Sequence, residues 1–113
     1  MKISKKDMAI DEIVKSITTG KVSPGNALMA RNIPLGTVTT TEIFRLLAEH
    51  GIIKLQDNNT YAFSDKCYEN SQKLYCEKIY DLAARINALM KIADISPDYV
   101  ISLFTEDKGQ ERR

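Results

Sequence analysis

The spacing of apolar residues changes period twice along this chain, and those two changes limit the folds it can adopt. In residues 5–19, Ile10, Ile13, Val14 and Ile17 recur at i, i+3, i+4 and i+7, the stripe of an amphipathic helix. Thr18 and Thr19 are poor helix formers, and Gly20 supplies the usual residue just past a helix end. Near Ile53 the period shortens to roughly two residues, as in a strand. Ile53 and Leu55 lead into Asp57-Asn58-Asn59, which tolerate turn dihedrals, and Tyr61 and Phe63 then fall on one face. That pattern predicts a hairpin. From residue 65 to residue 93 the helical rhythm returns through Leu74, Tyr75, Ile79, Leu82, Ala83, Ile86, Leu89, Met90 and Ala93. Ser96-Pro97 then reads as an N-cap followed by proline at the first helical position, opening a short helix with Tyr99, Val100, Leu103 and Phe104 as its apolar residues.

The stretch between the first helix and the hairpin is the least regular. Val22-Ser23-Pro24-Gly25 carries a Pro-Gly turn signal. Ala27-Leu28-Met29-Ala30 has the composition for one or two helical turns, and Ile33 is expected to be extended because proline follows it. Leu35-Gly36 reads as a turn with one buried side chain. Thr39 and Glu42 have the spacing of a capping box and predict a helix over residues 39–50 with Ile43, Leu46 and Leu47 inward and Phe44 at the margin. Three helical segments followed by a hairpin is the order of a winged helix-turn-helix. The fold class is therefore mostly α with a small β-hairpin, a winged helix-turn-helix followed by a long helix and a short helix. The expected organisation is a DNA-binding domain over residues 1–64, a helical dimerisation segment over 65–106 and a flexible tail over 107–113.

Composition narrows the function classes. The chain has 113 residues, of which 43% are hydrophobic and 27% charged, and no apolar run is long enough to cross a bilayer. Lys2, Lys5 and Lys6 are followed at once by Asp7, Asp11 and Glu12, so no export signal is expected and the cytoplasm is the expected location. Cys67 and Cys76 are nine residues apart with no histidine nearby, which is neither a zinc spacing nor a redox pair. On one helix that spacing puts the two thiols on opposite sides, so free thiols are expected. His50 sits at a helix end beside Gly51, where the helix dipole accounts for it. There is no glycine-rich phosphate loop, no Ser/His/Asp set and no His/Cys cluster, so the reading is no enzyme, no metal and no cofactor.

Charge gives only mild support for nucleic acid. Residues 1–63 hold eight Lys/Arg against six Asp/Glu, and residues 64–113 hold eight against nine. A strongly basic footprint is absent.

Three stretches together, IDEIVKSITTGKVSPGNAL (10–28), LLAEHGIIK (46–54) and NTYAF (59–63), followed by a long helix and DISPDYVISLF (94–104), make the chain resemble the GntR-type transcriptional regulators. The specific likeness is to their short YtrA-like branch, which carries no separate ligand-binding domain. The resemblance implies a non-catalytic repressor of transcription that acts as a homodimer on a palindromic double-stranded DNA operator, often beside a transporter operon. It implies recognition through residues 39–50, so Thr39, Thr40, Thr41 and Arg45 inherit the base- or phosphate-contacting role. Arg31 stands in for the backbone-contacting arginine of the second helix, and Lys54 is the cation at the root of the wing. The chain departs from the family in three places. Its expected recognition helix begins with threonines and Glu42 where the family usually has asparagines and an early arginine. The interval from Gly25 to Thr39 is several residues short for a complete second helix, and Leu55-Gln56-Asp57-Asn58-Asn59 replaces a basic wing tip. These departures keep a second reading open, a helical dimeric adaptor of the same fold that has lost DNA binding.

The long helix carries more apolar surface than the small front domain can cover. Leu74, Ile79, Leu82, Ile86, Leu89 and Met90 are the expected dimerisation residues, with a fold-back onto the chain's own domain as the rival. With no second ligand domain, any small-molecule effector would act at the dimer interface or at a linker near Ser64.

Overall fold

The computed structural model describes residues 3–110, with side chains described as far as Thr105. The elements run α1 (Lys5–Thr18), β1 (Ala27–Leu28), a single 3-10 turn (Ala30–Asn32), α2 (Thr37–Glu49), β2 (Ile53–Leu55), β3 (Tyr61–Phe63), α3 (Cys67–Ala93) and α4 (Pro97–Gln110). They group into two compact units, residues 1–75 and residues 76–113.

In the front unit α1 starts where Ser4 accepts the Asp7 amide at 3.0 Å, and Asp7 places a carboxylate in the positive first turn. The helix ends at Thr19 and Gly20, the latter at φ +80°. Ile10, Val14 and Ile17 are buried and Ile13 lies at their edge.

The next segment differs from expectation. Asn26 folds the Ser23–Asn26 turn on itself, its side chain accepting the Ser23 amide at 2.8 Å while its own amide donates to the Ser23 carbonyl. Gly25, at φ +91°, donates to the Phe63 carbonyl, and Phe63 donates to the Asn26 carbonyl. That turn delivers Ala27 and Leu28 to β3 as a third strand, paired with Ala62 and Tyr61. The helical turns expected at Ala27-Leu28-Met29-Ala30 do not form, because the free edge of β3 satisfies the backbone groups a helix would have used. Only the 3-10 turn follows, and then Ile33, buried and extended before Pro34.

The start of α2 is also corrected. Its N-cap is Gly36, without a side-chain cap, and the helix begins at Thr37, two residues before the expected cap at Thr39. The Thr39–Glu42 capping box is therefore not made. Thr40 donates its hydroxyl to the Leu35 carbonyl at 3.3 Å, and Glu42 pairs with Lys6 at 3.6 Å. Gly51, at φ +72°, ends the helix.

The sheet order is β1-β3-β2, antiparallel throughout, with Ile53 opposite Phe63 and Leu55 opposite Tyr61. Asn59, at φ +62°, turns the hairpin, and Asn58 accepts the Thr60 hydroxyl at 2.6 Å. No loose linker follows. Ser64 donates its amide to the Ile52 carbonyl and its hydroxyl to the Gly51 carbonyl, which also accepts from the Asn70 side chain at 2.9 Å. The effector site expected at a linker near Ser64 is not supported by this half-buried, doubly bonded residue.

The core joins Ile10, Val14 and Ile17 to Leu28, Ile33, Ile43, Leu47, Ile52, Ile53 and Phe63, and it extends onto α3 through Cys67 and Leu74. Leu74 is only 6% exposed, so it belongs to this core and not to the set available for a dimer partner. Ser71 is fully buried beside them, its hydroxyl without a hydrogen-bond partner. Burial pushes the Cys67 thiol above its ordinary pKa. Tyr75 closes the unit by donating its hydroxyl to Asp11 of α1 at 2.5 Å.

The back unit takes the rest of α3 and all of α4. Ser96 caps α4 as expected, its hydroxyl accepting the Tyr99 amide at 3.4 Å. The helix continues to Gln110, so the tail expected over 107–113 begins as helical backbone, and residues 111–113 lie outside the described residues. No described residue beyond Leu74 is buried. Ile79, Leu82 and Leu89 are exposed, Ile86 and Met90 half-exposed, and Ile92 is 77% exposed.

Candidate nucleic-acid interface

The placement of α2 follows from its pattern of apolar residues. Ile43 and Leu47 are 0% exposed and Thr40 is 6% exposed, which commits one side of the helix to the core. At about 100° per residue the opposite side carries Thr37, Val38, Thr41, Glu42 and Arg45, and all five are exposed.

The six expected contact residues distribute unevenly on this frame. Thr41 and Arg45 are on the outward face. Thr39 is at its margin, half-buried. Thr40 is 6% exposed, with its hydroxyl bonded to the Leu35 carbonyl: it ties the start of α2 to the preceding turn and reaches the surface only at the floor of the depression that Arg31 and Thr41 also line. Arg31, on the 3-10 turn, lines a depression with Thr37, Thr41 and Phe44. On the other side of Thr41, a second depression runs between α2 and the sheet past Phe44, Arg45, Ala48, Glu49 and Tyr61. The structure thus brings Arg31, Thr41 and Arg45 to one continuous surface. Lys54 is exposed on β2 and lines a separate hollow with Leu55, Gln56, Asp57 and Asn58 of the wing.

Tyr61 joins the wing to the helix. Its ring lies 5.2 Å from that of Phe44 at an interplanar angle of 57°, within the favourable range for tilted aromatic pairs. The wing is therefore held against α2 by packing on this side, as well as through the shared core.

Two outward residues were missed by reading the sequence. Val38 is 74% exposed and Thr37 is exposed beside it. Both precede the expected helix start. Taking Gly36 as the cap would have placed them on the outer face of the first turn.

Electrostatically the surface is mixed. Arg45 is the one cation on α2, and Glu42 is paired with Lys6 of α1. The wing tip at residues 56–59 carries Asp57 and no cation. Among the described residues no cluster of His, Cys, Asp or Glu could hold a metal ion, and no helix is long and apolar enough to cross a membrane.

Solved structures share this fold. A GntR-family transcriptional regulator from Listeria monocytogenes superposes with a TM-score of 0.67 at 16% identity, covering 92% of this chain and 95% of that one. The chain has the fold of the GntR-family winged helix-turn-helix regulators. YtrA from Sulfolobus acidocaldarius, a GntR-family transcription factor, matches with a TM-score of 0.53 at 17% identity, covering 100% of this chain and 95% of that one. BusR of S. agalactiae, solved in complex with its busAB-promotor DNA, matches with a TM-score of 0.55 at 15% identity, covering 100% of this chain and 58% of that one. No protein-family model and no curated protein matches the sequence. Within the shared fold this chain has a 3-10 turn in the place where the sequence resemblance leads one to expect a second helix.

Proposed function

We propose that the protein is a cytoplasmic DNA-binding transcriptional regulator, a repressor that acts as a homodimer on a palindromic operator. The observation that carries this reading is the outward face of α2, which presents Thr41 and Arg45 on a helix whose opposite side is locked in the core, with Arg31 of the 3-10 turn lining the depression beside Thr41. A major groove is wide enough to accept such a helix. Arg45 is the one α2 side chain able to grip a guanine edge or a phosphate through a bidentate fork, and Lys54 would approach the backbone from the wing. The structure of BusR on promoter DNA supports a DNA-binding role for this fold. The match with YtrA, a GntR-family transcription factor, over the length of this chain supports the same role.

The homodimer is supported by the exposed apolar residues of the back unit. Ile79, Leu82, Leu89 and Ile92 are exposed on α3, and Tyr99, Ile101 and Phe104 on α4. Charges in residues 76–105 nearly balance, with Lys78, Arg85 and Lys91 against Glu77, Asp81, Asp94 and Asp98, so a second copy is not repelled. Pairing through this face would hold two α2 helices at a fixed spacing, as operator half-sites about one turn apart require.

A second reading, the dimeric adaptor without DNA binding, is favoured by the wing tip without a cation and by the Lys6–Glu42 pair, which removes positive charge from the same face. Titration of the full chain against genomic fragments at two salt concentrations separates the two. The repressor loses affinity steeply as salt rises, because phosphate contacts release counterions. Arg45→Ala then weakens binding by about 1–3 kcal/mol if the contact is to guanine, or lowers the salt slope by about one unit if it is to phosphate. An adaptor binds no fragment at either salt.

A further inference from the structure

Val38 is the one large apolar side chain on the outward face of α2 that stands mostly in solvent. It projects from the first turn of α2 at 74% exposure, on the side opposite Ile43 and Leu47. A β-branched apolar residue in that position is a weaker helix former than the common surface residues and leaves its side chain in water. Its neighbours extend the same character. Thr41 is exposed and donates its hydroxyl to the Thr37 carbonyl at 2.9 Å, so the polar end of that side chain is engaged with the helix backbone. The residues that ordinarily read adenine through a bidentate amide are missing, since α2 contains no asparagine and no glutamine. Glu42, which could accept from a cytosine amino group, is paired with Lys6.

Toward a base the start of α2 therefore offers two apolar groups, the Val38 side chain and the Thr41 methyl, beside the Thr37 hydroxyl and, a turn further on, the Arg45 guanidinium. In the major groove only thymine presents a methyl group, at C5. We infer that Val38 is a specificity-determining residue that packs against the 5-methyl group of a thymine, with the Thr41 methyl beside it. The operator half-site is then defined mainly by thymines placed under the start of α2. This inference rests on the DNA-binding reading above and adds to it which base is recognised and by which side chain.

The test uses the full chain and a duplex enriched by it from a random-sequence pool. Each thymine of the enriched half-site is replaced singly by uracil, which keeps base pairing and removes only the 5-methyl group. Binding is followed by fluorescence anisotropy for the wild type, Val38→Ala and Val38→Ser. Burial of one methyl-sized group predicts a loss of about fourfold in wild-type affinity at one or more thymines. Val38→Ala and Val38→Ser should bind thymine and uracil duplexes alike at that position, with thermal midpoints no lower than the wild type's because Val38 touches no core. A wild type indifferent to every uracil replacement would overturn the inference while leaving the DNA-binding reading intact. So would a uracil penalty that persists undiminished in both variants. If no duplex is enriched or bound at any salt, the DNA-binding reading fails and this inference falls with it.

Discussion

In the front unit every apolar stripe ends in a core: α1 contributes Ile10, Val14 and Ile17, α2 contributes Ile43 and Leu47, and the sheet contributes Leu28, Ile53 and Phe63. In the back unit α3 and α4 carry apolar residues just as regularly, yet Ile79, Leu82, Leu89, Ile92 and Phe104 remain exposed and no described residue is buried. The helix α3 belongs to both, and its character changes at Leu74–Tyr75, where it stops packing on the front core. One continuous helix thus serves as a wall of a closed domain over its first turns and carries an exposed apolar face over the rest. Periodicity in sequence is the same on either side of that point. What differs is whether something within the chain lies against the stripe.

The largest expected effect comes from cutting the chain on either side of that change. A fragment ending at residue 78 should unfold cooperatively, because it keeps the whole front core. A fragment ending at residue 64 loses Cys67, Leu74 and the Tyr75–Asp11 bond. At about 1.5–3 kcal/mol for each large buried side chain, that loss approaches the total stability of a small domain. Circular dichroism with thermal melting should show a transition in the longer fragment and none in the shorter.

A matched pair of substitutions sharpens the same contrast. Leu47→Ala empties a site that is 0% exposed and should lower stability by about 2–5 kcal/mol at every protein concentration. Leu89→Ala removes an exposed side chain. Its effect should depend on concentration, weakening assembly while leaving the front unit's own melting unchanged, as denaturant titrations at two protein concentrations would show.

A smaller effect is expected at Gly51, where the end of α2 meets the start of α3. A Cβ there would stand 2.7 Å from the Asn70 amide nitrogen, at φ +72°. Gly51→Ala should therefore cost about 2 kcal/mol, from left-handed strain together with the displaced Asn70–Gly51 hydrogen bond. A midpoint within error of the wild type would show that this junction is looser than its two hydrogen bonds imply.

These elements also show what was legible in the sequence. The stripe of α1, the hairpin, the long α3 and the Ser96-Pro97 start of α4 all rest on interactions within a few residues, and their signals are local. β1 is only two residues long and exists because β3 offers it an edge, a contact across more than thirty positions that no window of sequence contains. The start of α2 was misplaced because Thr39 and Glu42 imitate a capping box while Gly36, with no side chain to signal it, is the cap. On the candidate interface, Arg45 and Thr41 could be placed from the positions of Ile43 and Leu47. Thr40 could not, since its burial depends on the Leu35 carbonyl in the preceding turn. Leu74 was grouped with the pairing residues because the rhythm runs through it unbroken.

The weakest link between α1 and α3 should show in the pH dependence of stability. Burial, with hydrogen bonding to Asp11, raises the Tyr75 phenol above its ordinary pKa of 10.0. Above pH 10 the unfolded chain releases this proton while the folded chain keeps it, so the contribution of Tyr75 is intact at neutral pH and is lost as pH rises beyond 10. Tyr75→Phe should cost about 0.5–1.5 kcal/mol at pH 7 and decline less steeply in alkali. Parallel curves for the two proteins between pH 9 and pH 11 would remove Tyr75 from that role.

The front core is complete within one chain, whereas the proposed role of the back unit needs a second copy. Sedimentation equilibrium of the full chain at micromolar concentration tests it most directly. Pairing predicts a mass twice that of the 12.7 kDa chain, falling toward one chain's mass when Ile79, Leu82 and Leu89 are replaced together by serine. A wild-type chain that sediments at 12.7 kDa across that concentration range would contradict it.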